Sequence, residues 1–113
     1  MPSVGFVAPL LPGKTETDRA AMVSCWTGDR RADFERSRKA LGITREAVFI
    51  QSTPQGDFAV VYWDADDVES AFADMAVSDD PFDRWFRDHV REVHGINVED
   101  GFPPPEQIMD YRA

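Results

Sequence analysis

Residues 79–95, DDPFDRWFRDHVREVHG, carry a complete set of helix signals. Asp79 or Asp80 can accept hydrogen bonds from the free N–H groups of the first turn, and Pro81 follows where its missing N–H costs nothing. Gly95 stands just past the last turn, where glycine is the usual terminating residue. The stretch therefore predicts one helix with a defined beginning and end.

One face of this helix is apolar except for a histidine. It consists of residues at spacings of four, three and four: Phe82, Phe86, His89 and Val93. His89 has two interpretations, a neutral core imidazole with one hydrogen-bond partner or a proton-transfer group on the wall of a pocket. His94 is expected to cap the last carbonyl groups of the helix. Because the two histidines are five positions apart, they do not share a helix face and do not form a metal pair.

Composition limits the classes of function. The 113 residues fit one domain (1–113), and 42% of them are hydrophobic. Twelve basic against 21 acidic residues give a net charge of −9, which argues against nucleic-acid and anionic-membrane partners. No apolar run approaches the ~20 residues of a membrane span, and no signal peptide is recognisable, so we expect a cytoplasmic protein.

Metal and thiol chemistry have little support in the sequence. Cys25 is the single cysteine, so an intramolecular disulfide is impossible and a Cys/His zinc site lacks ligands. We expect a buried thiol here rather than a nucleophile. The acidic residues at 79, 80 and 83 are explained more simply by helix capping than by a cation site. We expect neither a metal nor a cofactor.

Apolar periodicity and turn residues predict the other elements. Thr15 and Asp18 resemble a capping box that starts a helix, which Gly28 either kinks or divides. The other predicted elements are strands at 4–10, 48–53 and 58–63, a helix from Val68, and a short last strand at 107–112 after a proline-rich connection at 102–105.

This order of elements, β-α-β-β-α-α-β, is a split βαβ pattern in the α+β class. It predicts an antiparallel sheet with helices on one face. The other face needs a cover, and a chain of this length has no further element to provide it. We therefore expect a homodimer whose two sheets pack face to face in a dimeric α+β barrel.

Five segments also carry a resemblance to a family of small bacterial proteins: PLLPGKTE (9–16), LGITREAVF (41–49), TPQGDF (53–58), DDPFDRWF (79–86) and HGIN (94–97). They keep their order and span most of the chain, and DDPFDRWF is the most specific. The resemblance implies the ferredoxin-like, dimeric α+β-barrel fold. It brings no reaction and no catalytic residue with it.

Aromatic and polar residues predict a small-molecule site in the cleft between sheet and helices. His89 would be the acid or base and Tyr62 a hydroxyl donor. Arg38 needs an anionic partner if it points inward, and it is a surface arginine otherwise. The remaining residues expected to bind substrate are aromatic: Trp26, Trp63, Trp85 and Phe86.

Three functions are compatible with this pattern. The first is binding or conversion of an aromatic or polyketide-like molecule, by cofactor-free oxygenation or by isomerisation or cyclisation, which depends on fold analogy. The second is a non-catalytic structural, stress-related or regulatory dimer whose aromatics fill core and interface. A minor third is haem degradation, which requires a pocket large enough for a porphyrin.

Overall fold

A computed structural model describes residues 2–113 of the chain. It confirms the α+β class and the antiparallel sheet, with three strands and four α-helices in this part of the chain. In order, the elements are β1 (Ser3–Pro9), α1 (Thr15–Trp26), α2 (Arg31–Ala40), β2 (Ile43–Thr53), β3 (Gly56–Ala65), α3 (Val68–Val77), α4 (Pro81–His94) and a 3₁₀ turn (Val98–Asp100).

The sheet has the strand order β1-β3-β2, with every neighbouring pair antiparallel. The predicted hairpin is confirmed: β2 and β3 join at the pair Thr53 and Gly56. Since successive side chains of a strand point to opposite faces, each strand has an inner and an outer set of residues. The inner set packs against the helices and forms the core with Leu41, Ala71 and Met75; its main buried members are Val4, Ile43, Trp63 and Ala65.

The outer face of the sheet is largely apolar and open. Val7, Val60 and Phe49 lie in register across the three strands. Val7 is 55% exposed and Phe49 is 59% exposed, so the helices do not cover this face. Beside this row, Tyr62 donates a hydrogen bond from its hydroxyl to Asp64 Oδ1 at 2.6 Å.

The central helix α4 forms as its sequence predicts. Asp80 is the N-cap, and its carboxylate accepts from the N–H of Phe82 at 2.8 Å. Arg36 also donates to this carboxylate, and this contact is the main reason why the pKa of Asp80 lies below its usual value. Gly95 ends the helix in the left-handed conformation, with φ of 68°. His94 does not cap the helix as expected, because its Nδ1 bonds the carbonyl of Pro9 at 2.8 Å.

The first helical segment differs from its prediction in one respect. The chain forms two helices, α1 and α2, separated around Gly28, which settles the choice between a kinked and a divided helix. The predicted capping box is wrong: the N-cap is Lys14, and Thr15 Oγ1 instead donates to Asp57 Oδ2 at 2.6 Å. Asp18 does not cap the helix either, because its carboxylate is buried and its Oδ1 contacts His89 instead.

The predicted last strand at 107–112 is wrong, so within residues 2–113 the sheet has three strands and not the four that the predicted order requires. Residues 105–107 pass residues 3–5 of β1 along a shallow groove. Within residues 2–113, no backbone hydrogen bond joins the two segments. The prolines at 103–105 have no N–H to donate to a neighbouring strand. The side chains of Ile108, Met109 and Tyr111 are exposed, so this segment buries no apolar face that would hold it against the sheet.

Candidate functional site

A cavity of about 80 Å³ lies between the inner face of the sheet and the helices. Strand residues form one wall, helix residues the other, and Phe102 from the C-terminal segment borders it. Phe102 packs on Phe6 and Phe72 with ring centroids 5.3 and 5.5 Å apart. Most of the lining is apolar, and its apolar members include Phe6, Met22, Val61, Phe72, Phe86 and Val90.

A buried Asp–His pair provides the main polar contact in the wall. Asp18 of α1 and His89 of α4 meet with Oδ1 2.8 Å from Nε2, and both side chains line the cavity. An ionised carboxylate only accepts hydrogen bonds, so this contact assigns the proton to Nε2 and leaves the lone pair of a neutral ring on Nδ1. An aspartate that orients a histidine in this way is a recurring arrangement in acid–base sites.

Aromatic stacking orients the same histidine. The ring of Trp85 stacks on His89, with centroids 5.4 Å apart and an angle of 17° between the planes. The guanidinium of Arg30 lies over Trp85 at 4.1 Å from the ring centroid, and its Nη1 donates to Ser24 Oγ at 2.9 Å. His89 is therefore held by a hydrogen bond at Nε2 and by packing against its ring.

A second polar group joins α2, β2 and α4. Arg38 Nε donates to Glu46 Oε1 at 2.8 Å, and the two side chains are only 5% and 6% exposed. Arg38 Nη1 donates to Ser37 Oγ at 3.1 Å, and Ser37 in turn donates to the buried Asp83. Asp83 also accepts from Ser78 Oγ at 2.5 Å. Arg38 therefore points inward, and its anionic partner is a protein carboxylate.

Three buried polar atoms of side chains have no hydrogen-bond partner within residues 2–113: Asp18 Oδ2, Trp63 Nε1 and Arg38 Nη2. Asp18 and Trp63 both line the cavity. Most buried polar atoms in proteins are paired, either with protein groups or with water. Two residues of one cavity wall therefore each have a polar atom, an acceptor in Asp18 and a donor in Trp63, whose hydrogen bond a ligand or an ordered water would have to supply.

The cavity brings together part of the predicted site. His89, Trp63 and Phe86 line it. Trp85 and Arg38 do not line it, but each contacts a lining residue: Trp85 stacks on His89, and Arg38 pairs with Glu46.

Two predicted residues lie elsewhere. Tyr62 is on the outer face of the sheet, because it alternates with the inward-pointing Trp63. Trp26 ends α1 with 66% of its surface exposed, and the guanidinium of Arg31 lies over its ring.

The sequence interpretation missed Asp18 and Glu46. The position of Asp18 was readable, since it precedes Ala21 by three residues and Cys25 by seven, and both are buried. Glu46 precedes Val48 by two residues, so the two side chains point to the same, inner face of β2. Charged residues on these apolar stripes signal buried pairs, but their partners, His89 and Arg38, are distant in sequence or on another element.

The remaining reactive groups do not add to the site. Cys25 is buried, and the burial raises the pKa of its thiol, which opposes thiolate formation. Among residues 2–113, no group of three or more His, Cys, Asp or Glu side chains is arranged to hold a metal ion. In the same residues, no helix is both long and apolar enough to cross a membrane.

Comparison of the chain with protein-family models, curated proteins and solved structures finds no significant match in any of the three. Neither the cavity nor its residues therefore acquire a role from a relative. Any assignment of function depends on the contacts and the chemistry of the site.

Proposed function

We propose that this protein binds a small, largely apolar molecule in the cavity between sheet and helices, and that His89 transfers a proton on it. The observation that carries the proposal is the buried Asp18–His89 pair in the wall of an otherwise apolar cavity. A ring oriented by a carboxylate and by stacking is pre-organised for general acid–base work. The reaction class is isomerisation, cyclisation or a related proton transfer without a cofactor.

The chemistry follows from the orientation of the imidazole. With Nε2–H donated to Asp18, a neutral His89 has its basic nitrogen at Nδ1, and the resulting imidazolium is stabilised by the adjacent carboxylate. Removal of a proton next to a carbonyl group places negative charge on its oxygen. The unpaired N–H of Trp63 is a donor available for such an oxygen.

The volume of the cavity constrains the ligand. A water needs about 10–15 Å³ by the same measure, so about 80 Å³ corresponds to about five to eight non-hydrogen atoms. A single ring with one or two substituents fits this size, whereas a porphyrin is several times larger. Haem degradation therefore gains no support from the geometry, and a fused polyketide ring system requires the cavity to widen.

Binding and proton transfer can be tested separately. We expect monocyclic hydroxy and carbonyl compounds to raise the melting temperature, because a ligand at ~100 Kd adds about 2.7 kcal/mol to the free energy of unfolding. We also expect a bound ketone to exchange its α-hydrogens for deuterium faster than it does in buffer. Differential scanning fluorimetry measures the first effect, and NMR in D₂O measures the second.

Two variants locate the chemistry. His89→Gln can still donate to Asp18 but cannot act as the base, so we expect it to retain ligand binding and lose the accelerated exchange. Tyr62→Phe changes only the outer face and should keep both properties. If the wild type binds a ketone but does not accelerate the exchange of its α-hydrogens, the proposed proton transfer by His89 is contradicted. A panel without binders would favour the alternative function, a non-catalytic dimer in which Asp18–His89 simply joins α1 to α4.

We further propose that the protein is a cytoplasmic homodimer whose sheets pack face to face as in a dimeric α+β barrel. The supporting observation is the open apolar row formed by Val7, Val60 and Phe49. Contiguous exposed apolar surface is uncommon on monomers and is typical of protein–protein contacts. The acid–base function and the dimer are independent, since the cavity lies on the other face of the sheet.

The dimer has its own test. Phe49→Glu places a charge within the proposed interface, so we expect a monomer, whereas the wild type should have twice the mass of the chain in light scattering. Val77→Glu is the matched control, because Val77 is also an exposed apolar residue but lies at the end of α3, away from the sheet face. A monomeric wild type, or a Phe49→Glu variant that stays dimeric, would contradict this interface.

A further inference from the structure

The charges in the cavity wall restrict the ligand more sharply than its volume does. Asp18 and Glu46 are the acidic residues of the wall, and each already has a partner, His89 and Arg38 respectively. Across residues 2–113, no lysine or arginine side chain lines the cavity. A ligand carboxylate would therefore meet two carboxylates and no lysine or arginine, and a ligand ammonium would lose its hydration against a largely apolar wall.

The unpaired atoms specify the hydrogen bonds that a ligand must offer. Asp18 Oδ2 accepts and therefore needs a donor, whereas Trp63 Nε1 donates and therefore needs an acceptor. Hydroxyl groups provide both functions without a charge. Ordered water can satisfy the same atoms when no ligand is bound, so a ligand that displaces it has to reproduce these bonds.

The rest of the wall suits an aromatic ring. Phe6, Phe72 and Phe86 contribute rings to the lining, and Phe6 and Phe72 are themselves packed edge-on at 5.4 Å. Aromatic rings pack favourably against such surfaces in stacked or edge-to-face arrangements. An apolar body of this kind fills the volume while its polar group faces Asp18 and Trp63.

We infer that the cavity selects an uncharged, hydroxyl-bearing monocyclic ligand of about five to eight non-hydrogen atoms, a phenol or a hydroxy-carbonyl compound. Its hydroxyl donates to Asp18 Oδ2, and an oxygen of the ligand accepts from Trp63 Nε1. Carboxylic acids of the same size are disfavoured by the two carboxylates of the wall, and amines are disfavoured by the cost of desolvating an ammonium group in a largely apolar cavity. This inference depends on the proposed binding function and names the substrate class for it.

Four monocyclic probes with about seven to nine non-hydrogen atoms test the inference on the wild-type protein: phenol, toluene, benzoate and benzylamine. Phenol and toluene have the same shape and differ in the hydroxyl group. We expect phenol to bind at least about tenfold more tightly than toluene, which corresponds to about 1.4 kcal/mol. Benzoate and benzylamine should bind more weakly than either at pH 7. Dissociation constants from isothermal titration calorimetry or ligand-observed NMR decide the order.

A Trp63→Phe variant tests the second hydrogen bond. It keeps an aromatic ring at this position and removes Nε1, so the affinity for phenol should fall towards that of toluene while the affinity for toluene stays unchanged. Equal effects on both probes would show a packing change and overturn the role of Nε1.

The outcomes separate two failures. Tighter binding of benzoate or benzylamine than of phenol overturns the inference and leaves the binding function standing. Equal affinities for phenol and toluene overturn the role of the hydroxyl. If none of the four probes binds, the cavity holds water only, and both the inference and the proposed binding function fail.

Discussion

Glu46→Ala should lower the free energy of unfolding by about 3–5 kcal/mol, because it leaves the guanidinium of Arg38 buried without its counter-charge. That loss is a large fraction of the ~5–15 kcal/mol that stabilises a typical domain. Arg38 also lies over the rings of Phe34 and Phe86 at 4.7 and 4.6 Å, so it cannot turn to solvent without disrupting this packing. Urea denaturation followed by tryptophan fluorescence measures the change.

Two controls separate charge burial from simple truncation. Glu35→Ala removes the exposed partner of Arg31, and we expect little change in stability, since exposed ion pairs contribute little. The double variant Arg38→Met with Glu46→Leu replaces both charges by apolar groups and should recover most of the loss. A Glu46→Ala variant as stable as the wild type would mean that Arg38 has another anionic partner or is solvated.

Trp63→Ala is the second change with a large expected effect, about 3–5 kcal/mol of the free energy of unfolding. Trp63 is only 2% exposed and packs against Phe6 and Phe72, with ring centroids 5.3 and 4.7 Å away. Its removal joins the space of the indole to the existing cavity. Thermal and chemical denaturation measure the loss.

Trp26→Ala is the matched control for this substitution. Trp26 is 66% exposed, so its replacement should change stability by less than about 0.5 kcal/mol. Equal losses for the two tryptophans would contradict the inward orientation of Trp63. Both tryptophans were predicted to bind substrate, but only Trp63 lines the cavity. The comparison therefore also tests which of the two belongs to the site.

The elements were predictable where local signals agree. α4 has an N-cap, a proline at its start and a terminal glycine, and the hairpin of β2 and β3 has a proline–glycine turn. The last strand failed because alternation is a local property, whereas a strand requires a neighbour that accepts and donates hydrogen bonds. Residues 107–112 alternate as a strand does, but no backbone ladder joins them to β1 in the part of the chain that the structure describes.

The site was predictable in part for the same reason. His89 was identifiable as a polar residue on an apolar stripe, and Trp63 as part of a buried strand. The face of Tyr62 depended on the strand register, because a shift of one residue exchanges the two faces. Tyr62 and Trp63 were both predicted in the cleft, although successive residues of a strand point to opposite faces.

By itself, the sequence determined the α+β class, the bounds of α4 and the hairpin, because capping, turn chemistry and periodicity act over a few neighbouring residues. It also determined that His89 needs a polar partner. Only the tertiary structure decided which partner, since Asp18 lies 71 positions away and meets His89 through the packing of α1 on α4. The tertiary structure also determines the cavity, because its wall is formed by elements that are distant in sequence and adjacent in space.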